Sequence, residues 1–237
     1  MLKFVLFDLD GTLLPMDQDK FVNDYFGRLC KKMIPHGYEK ESLINAIWTA
    51  TAAVVKNDGS IPNEKVFWDV FAKILGEKCL EDVPLFDEFY AVDFSKVQSS
   101  CGYNPEAEKT VNKIKNMGLR VSLATNPIFP AVATESRIRW AGLRPQDFEL
   151  YTTYENCCYA KPNIKYYEYI VEKLGAKPEE CLMVGNDVGE DMVAENLGLK
   201  VFLLTDCLIN KTEKDISEYP NGSFPELMEY VRTLSDN

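Results

Sequence analysis

The stretch "KFVLFDLDGTLL" (Lys3–Leu14) limits what this chain can fold into more than any other part of it. Its apolar run, Leu2–Phe7, stops at two aspartates, Asp8 and Asp10, with one leucine between them and Gly11-Thr12 directly after. A run that is continuous instead of alternating suits a strand buried on both faces, as in a parallel sheet. The runs Leu119–Ala124, Phe148–Tyr151, Cys181–Val184 and Val201–Leu204 share that character. Between them lie segments punctuated as helices. "YNPEAEKTVNKIKNMG" has Asn104 as its N-cap, Pro105 in the first helical position and Gly118 as its stop. "NIKYYEYIVEKLG" ends at Gly175 and "EDMVAENLG" at Gly198, while "SFPELMEYVRTL" opens with Ser223 and Glu226 at capping-box spacing. Strands and helices in alternation predict an open α/β sheet.

From Leu14 to Tyr103 the alternation breaks, with helical patterns and no strand. Phe21, Tyr25, Leu29 and Met33 share one face, as do Leu43, Ile47, Thr51 and Val54, and then Val66, Phe67, Val70, Phe71 and Ile74. A helical lobe inserted straight after the first strand is expected, with these stripes as its own core.

The 237 residues, 46% hydrophobic, suffice for one sizeable domain with a smaller insert. The net charge of −11 is spread along the chain, which argues against nucleic acid and anionic membrane surfaces as partners. It also requires any anion site to create its own positive field. The first apolar run is too short for a secretory signal, no segment reaches spanning length, and the seven cysteines have no framework spacing. A cytoplasmic protein with reduced thiols is expected, monomeric by default.

Four places fall at or near the carboxyl ends of strands, where open parallel sheets bind ligands. They are Asp8 with Asp10, Thr125-Asn126 in "SLATN", Lys161 in "YAKPNIKYY", and Asp187 with Asp191 in "VGNDVGED". Two carboxylates about 4 Å apart repel by roughly 4 kcal/mol at an effective dielectric near 20, so a cluster of them calls for a cation. Oxygen ligands point to Mg²⁺. The single histidine, His36 in "IPHGY", is expected in a loop between two lobe helices. With the cation in place Asp8 becomes a nucleophile toward phosphorus, forming an aspartyl-phosphate. Lys161 and Thr125 then hold the phosphoryl oxygens, and Asp10 serves as acid and base.

These residues resemble the haloacid dehalogenase superfamily, in its phosphohydrolase branch with a helical cap inserted after the first strand. "DLDGT" (Asp8–Thr12) is similar to that family's first motif, Thr125 to its second, Lys161 to its third, and Asp187 with Asp191 to its fourth. The resemblance implies a Rossmann-like α/β core of residues 1–14 and 104–237 with an α-helical cap at residues 15–103. It implies a Mg²⁺-dependent phosphatase acting on a small phosphorylated metabolite. Asp8, Asp10 (through its carbonyl) and Asp187 would be the metal ligands and Asp191 their support, with Thr125, Asn126 and Lys161 on the substrate. The chain departs from the family's usual fourth motif in having Asn186 before Asp187. A phosphomutase or a phosphonate hydrolase of the same superfamily is the alternative, the latter requiring a lobe lysine such as Lys20, Lys31 or Lys32. A phospho-accepting signalling module is further off, because its acceptor ends a middle strand and no lobe follows.

Overall fold

The computed structural model describes residues 1–235. Five strands form one wholly parallel sheet: β1 (Phe4–Phe7), β2 (Arg120–Leu123), β3 (Cys181–Gly185), β4 (Lys200–Leu204) and β5 (Asn221–Gly222). Their spatial order is β2-β1-β3-β4-β5, so the first strand lies inside the sheet, between β2 and β3. Between β1 and β2 come α1 (Gln18–Met33), α2 (Lys40–Val55), α3 (Asn63–Leu75), α4 (Val83–Glu88) and α5 (Pro105–Asn116). The helices α6 (Ala131–Trp140) and α7 (Ile164–Lys173) join β2 to β3, and α8 (Phe224–Ser235) follows β5.

Successive strand side chains point to opposite faces, so a continuous apolar run feeds two cores at once. Val5 and Phe7 pack with Val121, Leu123 and Val184 against Val111 of α5, Ile138 of α6 and Leu227 of α8. Phe4 and Leu6 pack with Met183 and Leu203 against Tyr166, Tyr167 and Ile170 of α7. Each such side chain, removed from water, contributes about 1.5–3 kcal/mol relative to its exposed state.

Two expectations are corrected. Phe148–Tyr151 is not a strand. Glu149 N donates to Val121 O (2.9 Å) and Leu123 N to Leu150 O (2.8 Å), but the pairing shrinks to a single bridge between Leu123 and Tyr151. A 3-10 turn at Pro145–Asp147 precedes it and leaves too little extended chain. "EDMVAENLG" forms a 3-10 helix at Met192–Leu197 instead of an α-helix, ending on Gly198 at φ +97°.

Between β1 and α5 the described chain holds helices and no named strand. Phe21, Tyr25, Leu29 and Met33 are buried along α1, and Leu43, Ile47 and Val54 along α2. On α3 only Phe71 of the stripe is fully buried; Phe67, with its neighbour Trp68, walls a cavity, and Ile74 is 39% exposed. The helical segment has no core of its own apart. Its aromatic side chains continue the cluster on one sheet face, through Phe94 stacked on Trp140 (5.1 Å) and Tyr25 edge-on to Phe129 (5.6 Å). A second tie is Asn63, wholly buried at the start of α3. Its amide donates to Tyr159 O (3.1 Å) and Pro127 O (3.3 Å), and its backbone N to Cys157 O (2.8 Å). His36 is exposed in the 3-10 turn Ile34–His36. All seven cysteines are unbridged, and no described helix is long and apolar enough to cross a membrane.

Candidate active site

Asp8 sits where β1 ends, its N–H still donating to Val184 O (2.9 Å). The chain then turns on Leu9, whose carbonyl accepts from Thr12 N (3.2 Å) and Leu14 N (2.9 Å). Gly11 adopts φ +86°, and a Cβ there would lie 2.3 Å from Asn186 Nδ2, so the turn admits no side chain. The close approach has a use. Thr12 Oγ1 lies 2.9 Å from Asn186 Oδ1 and 3.1 Å from Asp8 Oδ2, while Asn186 Nδ2 donates to Cys207 O (2.7 Å). Asn186 therefore acts as a brace between two loops.

Lys161, just ahead of the Asn163-capped start of α7, is 1% exposed. Its ammonium donates to Asp8 Oδ1 (2.8 Å) and Asp191 Oδ1 (2.6 Å). Burial works against that charge, but Asp191 and Asp8 outweigh it and hold Lys161 well above the usual lysine range. Burial pushes the Asp191 carboxyl up to about 7, with Lys161 opposing. Asp191 lies in a single turn, accepting from Asp187 N (2.9 Å) through Oδ2. Gly185 makes room for it, because a Cβ there would meet Asp191 Oδ2 at 2.1 Å.

Asp10 has a partner that sequence reasoning missed. Arg137 of α6, 1% exposed, forms an ion pair with Asp10 Oδ2 through Nη1. The guanidinium is fixed by Ala133 O (3.3 Å), Thr134 Oγ1 (3.3 Å) and the Phe129 ring beneath it (4.5 Å). Burial raises the Asp10 carboxyl above its ordinary value and Arg137 opposes this. Asp10 Oδ1 is buried with no hydrogen-bond partner. The signal in the sequence was slight: Arg137 shares a helical face with Ala133 and Ala141, away from the polar Glu135 and Arg139.

Thr125 is buried just beyond β2, its carbonyl accepting from Thr152 Oγ1 (2.6 Å) and Tyr166 OH (2.7 Å). It does not cap α6, whose first N–H is met by Glu155 (2.8 Å). Asn126 Nδ2 donates to Glu190 Oε2 (3.0 Å), leaving Asn126 Oδ1 buried and unpaired. The Asp187 carboxylate is folded onto its own turn, accepting from Gly189 N (2.7 Å) and Glu190 N (3.0 Å).

Asp8, Asp10, Thr125, Asn126, Asp187 and Asp191 all line one cavity of about 440 Å³, joined there by Asn186 and Glu190. Lys161 lies behind Asp8 and does not line it. Among the described residues no three acids are yet drawn together as a ready metal cage. Asp8 is turned to Lys161, Asp10 to Arg137 and Asp187 to its loop. The donor set nonetheless fits a hard cation. Its ligands are oxygens, two of them buried and unpaired, and the carboxylates of Asp8, Asp10, Asp187, Glu190 and Asp191 outnumber the buried cations Lys161 and Arg137.

Residues 2–198 match the haloacid dehalogenase-like hydrolase family. The chain is 27% identical to a glyceraldehyde 3-phosphate phosphatase of Methanocaldococcus jannaschii over 238 residues, covering 99% of both. It is 26% identical to the pyrophosphatase PpaX of Bacillus cereus over 196 residues, covering 83% of this chain and 80% of that one. A HAD phosphatase from Thermococcus onnurineus shares the fold at a TM-score of 0.61 and 20% identity, over 97% of this chain and 98% of that one. A 2-haloacid dehalogenase from Pseudomonas syringae pv. Tomato DC3000 does so at 0.62 and 17%, over 98% and 99%.

Proposed function

The chain belongs to the haloacid dehalogenase-like hydrolases, and on that premise we propose that it is a Mg²⁺-dependent phosphatase of a small phosphorylated substrate, working through an aspartyl-phosphate on Asp8. The observation that carries this reading is the pair at the end of β1. Asp8 is held by Lys161 at 2.8 Å, with the Thr12 hydroxyl, whose proton is shared with Asn186 Oδ1, 3.1 Å from its second oxygen, while Asp10 beside it is paired separately with Arg137. Two acids in different surroundings take different roles.

Asp8 attacks phosphorus, and the bond to the leaving oxygen breaks as Asp10 delivers a proton to it. Water then attacks the aspartyl-phosphate, Asp10 takes its proton, and phosphate leaves with Asp8 restored. Lys161, behind Asp8, uses two of its N–H groups on Asp8 and Asp191, and its third is left for an oxygen of the phosphoryl group once that group is carried on Asp8. The Thr125 hydroxyl and Asn126 serve the same oxygens. Asp8, Asp187 and Asp10 would hold the Mg²⁺, with Asp191 in support. When bound, the ion neutralises the phosphate in a site whose own charge repels it. The helical segment 15–103 is assigned the role of a cap that excludes water.

The phosphatase names of the similar proteins support phosphate as the group released. The phosphonate route finds no such support, because none of Lys20, Lys31 and Lys32 lines the cavity and Lys32 is paired with Glu88 (2.8 Å). The test is turnover of a panel of phosphate esters with Mg²⁺ and with EDTA, in the wild type, Asp8→Asn and Asp10→Asn. Metal-dependent release that Asp8→Asn abolishes is expected. Unchanged release by Asp8→Asn would overturn the mechanism.

A further inference from the structure

The catalytic acids occupy only one part of the cavity. The remainder is walled by the helical segment, and that wall is aromatic. Phe26 meets Trp48 (5.5 Å between ring centres) and Trp68 meets Phe86 (5.4 Å), all four lining the same space. Trp48 is 50% exposed, an apolar ring left half in water beside an apolar chamber. From the core side Phe129 and Tyr154 complete the lining.

Charge is distributed just as unevenly. Among the described residues Lys211 is the only basic side chain lining the cavity, and it comes from the loop after β4. The helical segment contributes no lysine or arginine to the lining, and its one ionisable carboxylate there is Asp19. A leaving group carrying a second phosphate or a carboxylate would be stripped of water among aromatic rings, with no cation on the helical wall to meet it. Asp19 apart, the polar groups the wall does offer are neutral. Tyr25 and Tyr90 share a hydrogen bond between their hydroxyls (2.8 Å), which consumes one O–H and leaves the other free to donate to an uncharged acceptor.

We propose that the substrate is a phosphate monoester whose organic part is uncharged and aromatic, seated against the wall of Trp48, Trp68 and Phe86 while its phosphate meets Asp8. The proposal rests on the phosphatase reading and adds the class of substrate. Volume agrees, because a cavity of about 440 Å³ lies within the range of small-molecule sites and exceeds the needs of a two- or three-carbon ester.

The test compares 2-(1-naphthyl)ethyl phosphate with ethyl phosphate, phosphoglycolate and pyrophosphate. The first three all release alkyl alcohols, so intrinsic reactivity does not decide among them. The kcat/KM for the naphthyl ester is expected to exceed that for phosphoglycolate and pyrophosphate by about 100-fold, and that for ethyl phosphate by at least about 10-fold. Preference for either charged substrate, or parity with ethyl phosphate, would overturn the substrate class and leave the phosphatase reading standing. Should no ester be turned over, the phosphatase reading fails, and calorimetric binding of the same compounds decides the substrate class separately. Binding of the naphthyl ester about 10-fold tighter than phosphoglycolate supports it; equal or weaker binding overturns it.

Discussion

The buried Arg137 closes an ion pair on the half-buried Asp10 across 127 positions of sequence, bringing the middle of α6 to the turn that follows β1. Asp8 and Asp10 are thereby separated electrostatically although only one residue divides them. Asp8 faces an ammonium that Asp191 shares, and Asp10 faces a guanidinium that, among the described residues, no other carboxylate pairs with.

Removing that guanidinium leaves the half-buried Asp10 with neither oxygen paired. Arg137→Met is expected to lower kcat by about 100-fold, as misplacement of an acid/base group does, and to destabilise the fold by about 3 kcal/mol. Arg137 opposes the upward push of burial on Asp10, so in its absence the Asp10 carboxyl rises further. Asp10 enters the step that kcat/KM reports as a proton donor, so the alkaline limb of that profile should then move to higher pH. A pH–rate profile checks this, and an unmoved limb would show that Arg137 does not tune Asp10.

Asn63 ties α3 to the loops after β2 and ahead of α7. Asn63→Ala strands one N–H of the Asn57 amide, whose other bonds to Ile61 O and Gly59 N remain, and the carbonyls of Pro127 and Tyr159. A loss of about 2–4 kcal/mol in urea-measured stability is expected. The tie also sets the helical wall over the acids, so KM should rise more than kcat falls. Steady-state kinetics at a temperature well below the variant's Tm separates the two effects.

Asp147 provides a stability prediction away from the site. Hydrogen bonds from Arg144, with Lys115 at 3.0 Å, outweigh burial and hold its carboxyl down to about 2. A folded value below the unfolded one means the contribution is complete above the unfolded carboxylate range and fades as pH falls toward about 2. Arg144 is largely exposed and its share is screened, so Asp147→Asn should cost about 1–2 kcal/mol at pH 7. The gap to wild type should shrink by pH 3. Urea unfolding at both pH values checks it, and a constant gap would mean that the carboxylate charge contributes nothing.

The contrast between Asp10 and Arg137 also marks how far the sequence can be read. Continuous apolar runs announce β1 to β4 because burial on both faces leaves no room for alternation, and "DLDGT" announces a site because no strand end needs two acids for packing. β5 is two residues, Asn221 and Gly222, held by its neighbours and bearing no pattern of its own. Phe148–Tyr151 had the composition of a strand without the length of extended chain. Arg137 and Asn63 are polar residues whose burial depends on distant carbonyls and carboxylates, and no local spacing encodes such partners. Asn186 was visible as a departure, but its brace between Thr12 and Cys207 O became visible only in the fold. The stripe on α3 has the period of a core helix, yet Phe67 and Trp68 line a cavity, a distinction that periodicity does not carry.

The central claim is that Asp8 carries the phosphoryl group. Mixing enzyme, Mg²⁺ and a hydrolysed ester, quenching in acid during turnover and reducing with borohydride converts an aspartyl-phosphate to homoserine, which peptide mass spectrometry locates. Homoserine at position 8 in the wild type, and at no position in Asp8→Asn, is the predicted result. Turnover with position 8 unmodified, or homoserine at another aspartate, would contradict the account.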